Sequence, residues 1–253
     1  MVGKTNLITK ILIVTLVACV GFMGNSFGET KTPVSQKENT PLNVILVVTD
    51  DQRYDTLWAM ENVRKELSAR GVEFTEGFVT TPLCCPSRAS ILTGQYSHHT
   101  GVIRNAPPYG GTQGFKESKK DGNTLSFWLQ NKGYKTALIG KYLNGYHFVS
   151  PYVPRGWNKW VATTHDNVLK ADNGRGFTKF SVSIDGGEMV NKTTDYSTDF
   201  LFDESLKFIT DNNNRPFFLY LTPYAPHGPA LPAKQDEGAF SDFRHRPKSY
   251  NEE

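Results

Sequence analysis

The 253-residue chain is 38% hydrophobic and 21% charged, which excludes a disordered polypeptide and suits one large α/β domain or two small ones. Its net charge is only +3 and no dense Lys/Arg stripe accompanies it, which argues against a nucleic-acid partner. With three cysteines, Cys19, Cys84 and Cys85, the chain has no spaced pairs from which to build a disulfide framework.

Residues 1–28 read as an export signal. Lys4 and Lys10 form a positive start, and Ile11 to Ala18 form an apolar stretch too short to span a bilayer. Two processing sites compete. Ser26-Phe27-Gly28 suits an ordinary signal peptidase, whereas Leu16-Val17-Ala18-Cys19 resembles a bacterial lipobox, which would place a lipid anchor on Cys19. Either way the product is exported: periplasmic, outer-surface or secreted, and lysosomal or extracellular in a eukaryote. Residues 29–41 are polar and contain proline, as a linker does. The folded part is expected over 42–253.

The run Asn43 to Val48 is apolar and β-branched, the pattern of a strand buried on both faces. Leu57, Met60, Val63 and Leu67 predict a helix over 56–70 that Gly71 stops. A strand is expected over 72–79, a helix from about Ser87, a helix over 124–132, and a strand from Tyr134 to Ile139 ending at Gly140-Lys141. Residues 177–184 and 188–190, around Asp185-Gly186-Gly187, predict a surface hairpin. A helix over 197–211 and a strand over 216–221 follow. Helices alternating with apolar strands predict a doubly wound, mostly parallel α/β sheet with helices on both faces. Ligands bind such sheets outside the carboxyl ends of the strands. Asp50-Asp51, Lys141 and His227 each follow a predicted strand and should meet there.

Each cluster has a chemical reading and a plainer one. Cys84-Cys85-Pro86-Ser87-Arg88 leads into a helix starting at about Ser87, whose amino end favours an anion, and Arg88 can hold an oxyanion. A bare Cys-Cys pair is otherwise two buried thiols in a turn. Adjacent carboxylates at Asp50 and Asp51 suit a hard divalent cation, or else a solvated helix cap. Lys141 offers a point charge with three donors, and the His227 imidazole is suited to acid–base work. A surface lysine and a loop histidine are the plainer alternatives.

The run Cys84-Cys85-Pro86-Ser87-Arg88-Ala89-Ser90-Ile91-Leu92-Thr93-Gly94 resembles the signature of the formylglycine-dependent sulfatases, in the alkaline phosphatase superfamily. Gly140-Lys141-Tyr142-Leu143-Asn144, Gly156-Trp157-Asn158 and Arg246-Pro247 resemble its N-acetylglucosamine-6-sulfatase and heparan-type branch. The resemblance implies a sulfuric ester hydrolase acting on a sulfated carbohydrate. By the same resemblance Cys84 would be converted to formylglycine by a formylglycine-generating enzyme, with its hydrate as the nucleophile. Asp50, Asp51 and the modified Cys84 would then bind calcium, Arg88 would anchor the hydrate, Lys141 would bind sulfate, and His227 would contact sulfate and protonate the leaving oxygen. Many relatives carry a histidine two residues after the lysine. Leu143 stands there in this chain, which leaves Asn144, as a substrate contact, and His147 as replacements.

The resemblance also implies a second metal pair, Asp-Asn or Asp-His, in a later half. Asp166-Asn167, Asp172-Asn173 and Asp211-Asn212 lie in polar stretches instead. A chain that ends at Glu253 is therefore expected to be an incomplete catalytic domain with little turnover. Asn191-Lys192-Thr193 is a glycosylation sequon only in a eukaryote. Three other readings stay open: a phosphonate or phosphate ester hydrolase on the same fold, an inactive fragment that binds sulfated glycans, and a thiol protein using both cysteines.

Overall fold

The computed structural model describes residues 41–164 and 174–242. The export signal with Cys19, the linker up to residue 40, the pairs Asp166-Asn167 and Asp172-Asn173, and Arg246-Pro247 lie outside them. Strands β1 (Val44–Val47), β2 (Lys135–Lys141), β3 (Lys159–Thr164), β4 (Phe180–Ile184), β5 (Val190–Lys192) and β6 (Phe217–Thr222) form one sheet in the order β1-β6-β2-β3-β4-β5. From β1 to β3 the neighbours run parallel, and β4 and β5 add an antiparallel edge. Helices α1 (Glu61–Glu66), α2 (Cys84–Thr93), α3 (Ser97–Thr100), α4 (Gly111–Glu117), α5 (Leu125–Asn131) and α6 (Ser197–Asp211) connect and cover it.

Side chains alternate across a strand, so each central strand feeds two cores. Leu138, Trp160, Phe218 and Tyr220 face one side, where Ala89 and Leu92 of α2 and Phe115 of α4 pack on them. Ala137, Ile139, Val161, Phe217 and Leu219 face the other, against Leu201 and Phe208 of α6. In α6, Leu201, Ser205 and Phe208 recur at helical spacing as its buried stripe. Helices thus cover both faces of the sheet, the expected α/β layering.

Four local expectations change. The segment over 56–70 is broken into a 3-10 turn (Tyr54–Ala59), α1 and a second 3-10 turn (Ser68–Arg70). None of its residues is buried, so no packing holds one regular helix together. Residues 72–79 form no strand, and their apolar side chains are exposed. β1 is half-buried rather than buried on both faces, because only β6 flanks it among the described residues. The hairpin β4-β5 extends the main sheet, and most of β4 is buried.

Candidate active site

The site gathers at the carboxyl ends of three neighbouring strands. β6 lies between β1 and β2, so the loops after them are adjacent. Asp50 follows β1, Lys141 ends β2 and His227 follows β6. The amide of Val48 donates to Leu221 O at 3.0 Å and that of Asp50 to Ala225 O at 3.3 Å, which continues the β1–β6 pairing into the loops. Lys141 is aligned by an unusually close strand contact. Gly140 has φ 123°, and a Cβ there would sit 2.1 Å from Thr222 O.

α2 supplies the cysteine and the arginine. It begins at Cys84, not Ser87, so Cys84, Cys85 and Pro86 form its first turn. Proline is tolerated there because its missing N–H would have no helical partner. The left-handed Gly94 (φ 66°) ends the helix. Arg88 lies one turn after Cys84, on the same face.

Asp50 is the electrostatic centre. It is 4% exposed, as is Lys141, and Arg88 is 2% exposed. Lys141 Nζ donates to Asp50 Oδ2, and Arg88 Nη2 lies 3.5 Å from Asp50 Oδ1. Arg88 Nη1 donates to Lys141 O at 2.7 Å, which ties the three together. Burial alone would push the Asp50 carboxyl up, but Lys141 and then Arg88 outweigh it and hold the group below the usual carboxylate range. Arg88 Nη2 is buried without a hydrogen-bond partner. Such a donor beside a cleft suits an anionic oxygen.

Asp50, Cys84 and His227 bring one ligand atom each to within 4.8 Å of one another. Asp51 is exposed, with φ 55°, a left-handed backbone that a non-glycine residue rarely adopts. Its Oδ2 lies 3.3 Å from His227 Nε2. The donor set fits a hard cation in part. Two carboxylates and an oxygen at position 84 would fill part of a shell of about six to eight oxygens. As a thiol, Cys84 would be a softer donor than such an ion prefers.

His227 is held by its own loop. Its Nδ1 lies 2.8 Å from Gly228 O. A carbonyl only accepts, so Nδ1 carries the proton and Nε2 is left for exchange. The imidazole stacks on the Tyr224 ring at 4.6 Å, and the Tyr224 hydroxyl donates to Gly228 O at 2.9 Å. Gly176 underlies Tyr224, and a Cβ at that glycine would meet the ring at 2.3 Å. Sequence reading missed Tyr224 and Gly176. An aromatic three residues before a functional histidine was the one available signal.

Cys85 points away from Cys84's surroundings. It is fully buried, and its Sγ donates to Asn144 Oδ1 at 3.3 Å and accepts from the Asn144 amide at 3.1 Å. Burial pushes its thiol up to about 12. Asn105, also unanticipated, accepts from the Cys85 amide at 2.9 Å and so caps the first turn of α2. The Asn144 side chain is thus placed against Cys85. His147 packs on Phe148 at 3.9 Å. A cleft of about 590 Å³ opens over Asp50, Asp51, Cys84 and Arg88, with Phe78 and Leu83 among its apolar walls.

The sulfatase family model matches residues 42–251. Human N-acetylglucosamine-6-sulfatase is 33% identical over 256 residues, covering 95% of this chain and 43% of that protein. The extracellular sulfatase SULF-1 homolog of Drosophila melanogaster is 30% identical over 227 residues, covering 86% of this chain and 19% of that protein. Among solved structures, BT4656 in complex with its substrate D-glucosamine-2-N,6-O-disulfate superposes with a TM-score of 0.63 at 25% identity. That match covers 81% of this chain and 39% of the other. The chain therefore spans less than half the length of these relatives.

Proposed function

Because this chain belongs to the sulfatase family, we propose that its cleft hydrolyses a sulfate ester of a sulfated sugar, of the glucosamine 6-sulfate class. The observation that carries this reading is the meeting of Cys84, at the start of α2, with Asp50, Arg88, Lys141 and His227 at one sheet edge. The glucosamine choice is supported by the substrate named for BT4656 and by the N-acetylglucosamine-6-sulfatase relatives.

Position 84 is proposed to work as formylglycine, made by a formylglycine-generating enzyme, with calcium held by Asp50, Asp51 and the oxygen of residue 84. When present, these groups supply a nucleophile that can also release sulfate, and a charge that neutralises sulfate oxygens. The protein's own groups do the rest. Arg88, with a buried donor unused, holds an oxyanion beside residue 84. Lys141 exchanges its contact with Asp50 for a sulfate oxygen. In its doubly protonated form, with Asp51 beside Nε2, His227 gives the Nε2 proton to the leaving sugar oxygen and is left neutral, its Nδ1 proton still donated to Gly228 O. Asn144 serves by holding Cys85, and through it the first turn of α2.

The burial and pairing of Cys85 disfavour a joint dithiol site. Among the described residues no helix is long and apolar enough to cross a membrane. Export is supported by residues 1–28 and by the extracellular sulfatase named among the relatives. The reading is tested by peptide mass spectrometry across Cys84 after export from a host that makes the maturing enzyme. A mass below that of cysteine, and a hydrazone with a hydrazide probe, are expected. An unmodified thiol at Cys84 overturns the mechanism. Sulfate release from glucosamine 6-sulfate by a version that spans the full length of these relatives, absent in its Cys84→Ala variant, tests the substrate class.

A further inference from the structure

A second cleft, of about 370 Å³, lies at the opposite end of the sheet. The parallel strands bring their amino ends together there. Lys135 opens β2, Lys159 opens β3 and Arg215 precedes β6. The last two turns of α6 form its other wall, with Lys207 and, at helical spacing, Glu204, Phe208 and Asp211. Lys135, in this cleft, and Lys141 stand at opposite ends of the seven-residue β2, roughly 20 Å apart at the rise of a strand. It is not an extension of the catalytic cleft.

Lys159 pairs with Asp185 at 2.9 Å. Among the described residues Lys135, Lys207 and Arg215 have no ion-pair partner, although two carboxylates share the cleft. Cations left unneutralised beside carboxylates suit a ligand that carries both anionic groups and hydroxyl donors. A simple phosphate or an acidic peptide would use only the cations. We propose that this cleft is a second binding site for a sulfated saccharide, anchoring a polymer away from the site of cleavage. Only the choice of sugar rests on the function proposed above. Lysines 135 and 207 bind sulfate, and Glu204 and Asp211 accept hydrogen bonds from the sugar hydroxyls.

The test measures the affinity of the whole protein for a sulfated glucosamine tetrasaccharide, with polyglutamate as the sugar-free anion. Lys135→Glu with Lys207→Glu should weaken tetrasaccharide binding about tenfold or more, about 1.4 kcal/mol. A matched reversal of two exposed lysines elsewhere, Lys65→Glu with Lys119→Glu, should change it much less. Equal losses in the two pairs overturn the site. Glu204→Ala with Asp211→Ala should also weaken binding, although it removes negative charge. Tighter binding there, or polyglutamate binding with the same dependence on Lys135 and Lys207, overturns sugar recognition. Circular dichroism verifies that each variant is folded. Mass spectrometry at Cys84 reads the catalytic proposal separately, so either can fail alone.

Discussion

Asp50 shows how burial and charge compete at a single residue. Removing a carboxylate from water is costly, and Asp50 stays ionised because Lys141 and Arg88 sit against it. Its folded-state pKa is lowered from 3.8, so the linkage has one sign. The stabilisation is complete above the unfolded value and fades as pH falls through the lower folded value. Denaturation of the metal-free protein at stepped pH should show this loss below about pH 4, and Asp50→Asn should flatten it. Asp50→Ala leaves two buried cations without their carboxylate and should cost about 3–5 kcal/mol. The cysteines make a second residue-scale contrast. In a version that spans the full length of the relatives, Cys84→Ala should abolish sulfate release and leave the melting temperature nearly unchanged. Cys85→Ala removes the two hydrogen bonds to Asn144 and should cost about 1–3 kcal/mol of stability while sparing much of the activity. A Cys85 variant as inactive as Cys84→Ala, yet fully folded, would contradict this division.

At the scale of elements, the site depends on how closely β2 and β6 approach. Gly140 pairs with Thr222, and its φ of 123° lies where side chains are strained. Gly140→Ala must part the strands or rotate the peptide that carries Lys141. The expected cost is about 2–4 kcal/mol, with lost sulfate-ester turnover even well below the melting temperature. Wild-type turnover in a destabilised Gly140→Ala protein would show that Lys141 is positioned by something else. The elements also show what a sequence can and cannot convey. Helix α6 and strands β2 and β6 were legible because their apolar spacing coincides with their buried faces. Residues 72–79 alternate like a strand but find no sheet neighbour, and pairing is a tertiary fact. The half-burial of β1 was hidden for the same reason: an apolar run states a preference, and strand order decides whether it is met. At the site, strand-end polar residues announced Asp50, Lys141 and His227. Tyr224 and Asn105 act through stacking and capping partners distant in sequence or silent in any motif.

On the scale of the whole molecule, the two faces of the sheet do different work. The face carrying α2 holds the residues proposed to act, Cys84 and Arg88, and its core includes Ala89 and Leu92 of the same helix. The opposite face is covered by α6, whose first residues, Ser197 and Leu201, line a small cavity with Lys141 and Tyr224, while Phe208 lies toward its far end. Stability and function should therefore separate at Phe208 and not at Leu92. Leu92 is 1% exposed and Phe208 6%, so truncating either to alanine should cost about 2–5 kcal/mol. For a chain of this size each kcal/mol lowers the melting temperature by about 2–4 °C, so the two variants should melt early by similar amounts. Measured well below those temperatures, Phe208→Ala should keep its sulfate-ester turnover within about twofold, because Phe208 sits near the carboxyl end of α6, away from Lys141 and His227. Leu92→Ala loosens the seat of α2, and a shift of its first turn by about 1 Å can cost up to about a hundredfold in rate. Equal retention of turnover in both variants would mean that the Asp50–Arg88–Lys141 contacts, rather than the packing of α2 on the sheet, set the position of residue 84.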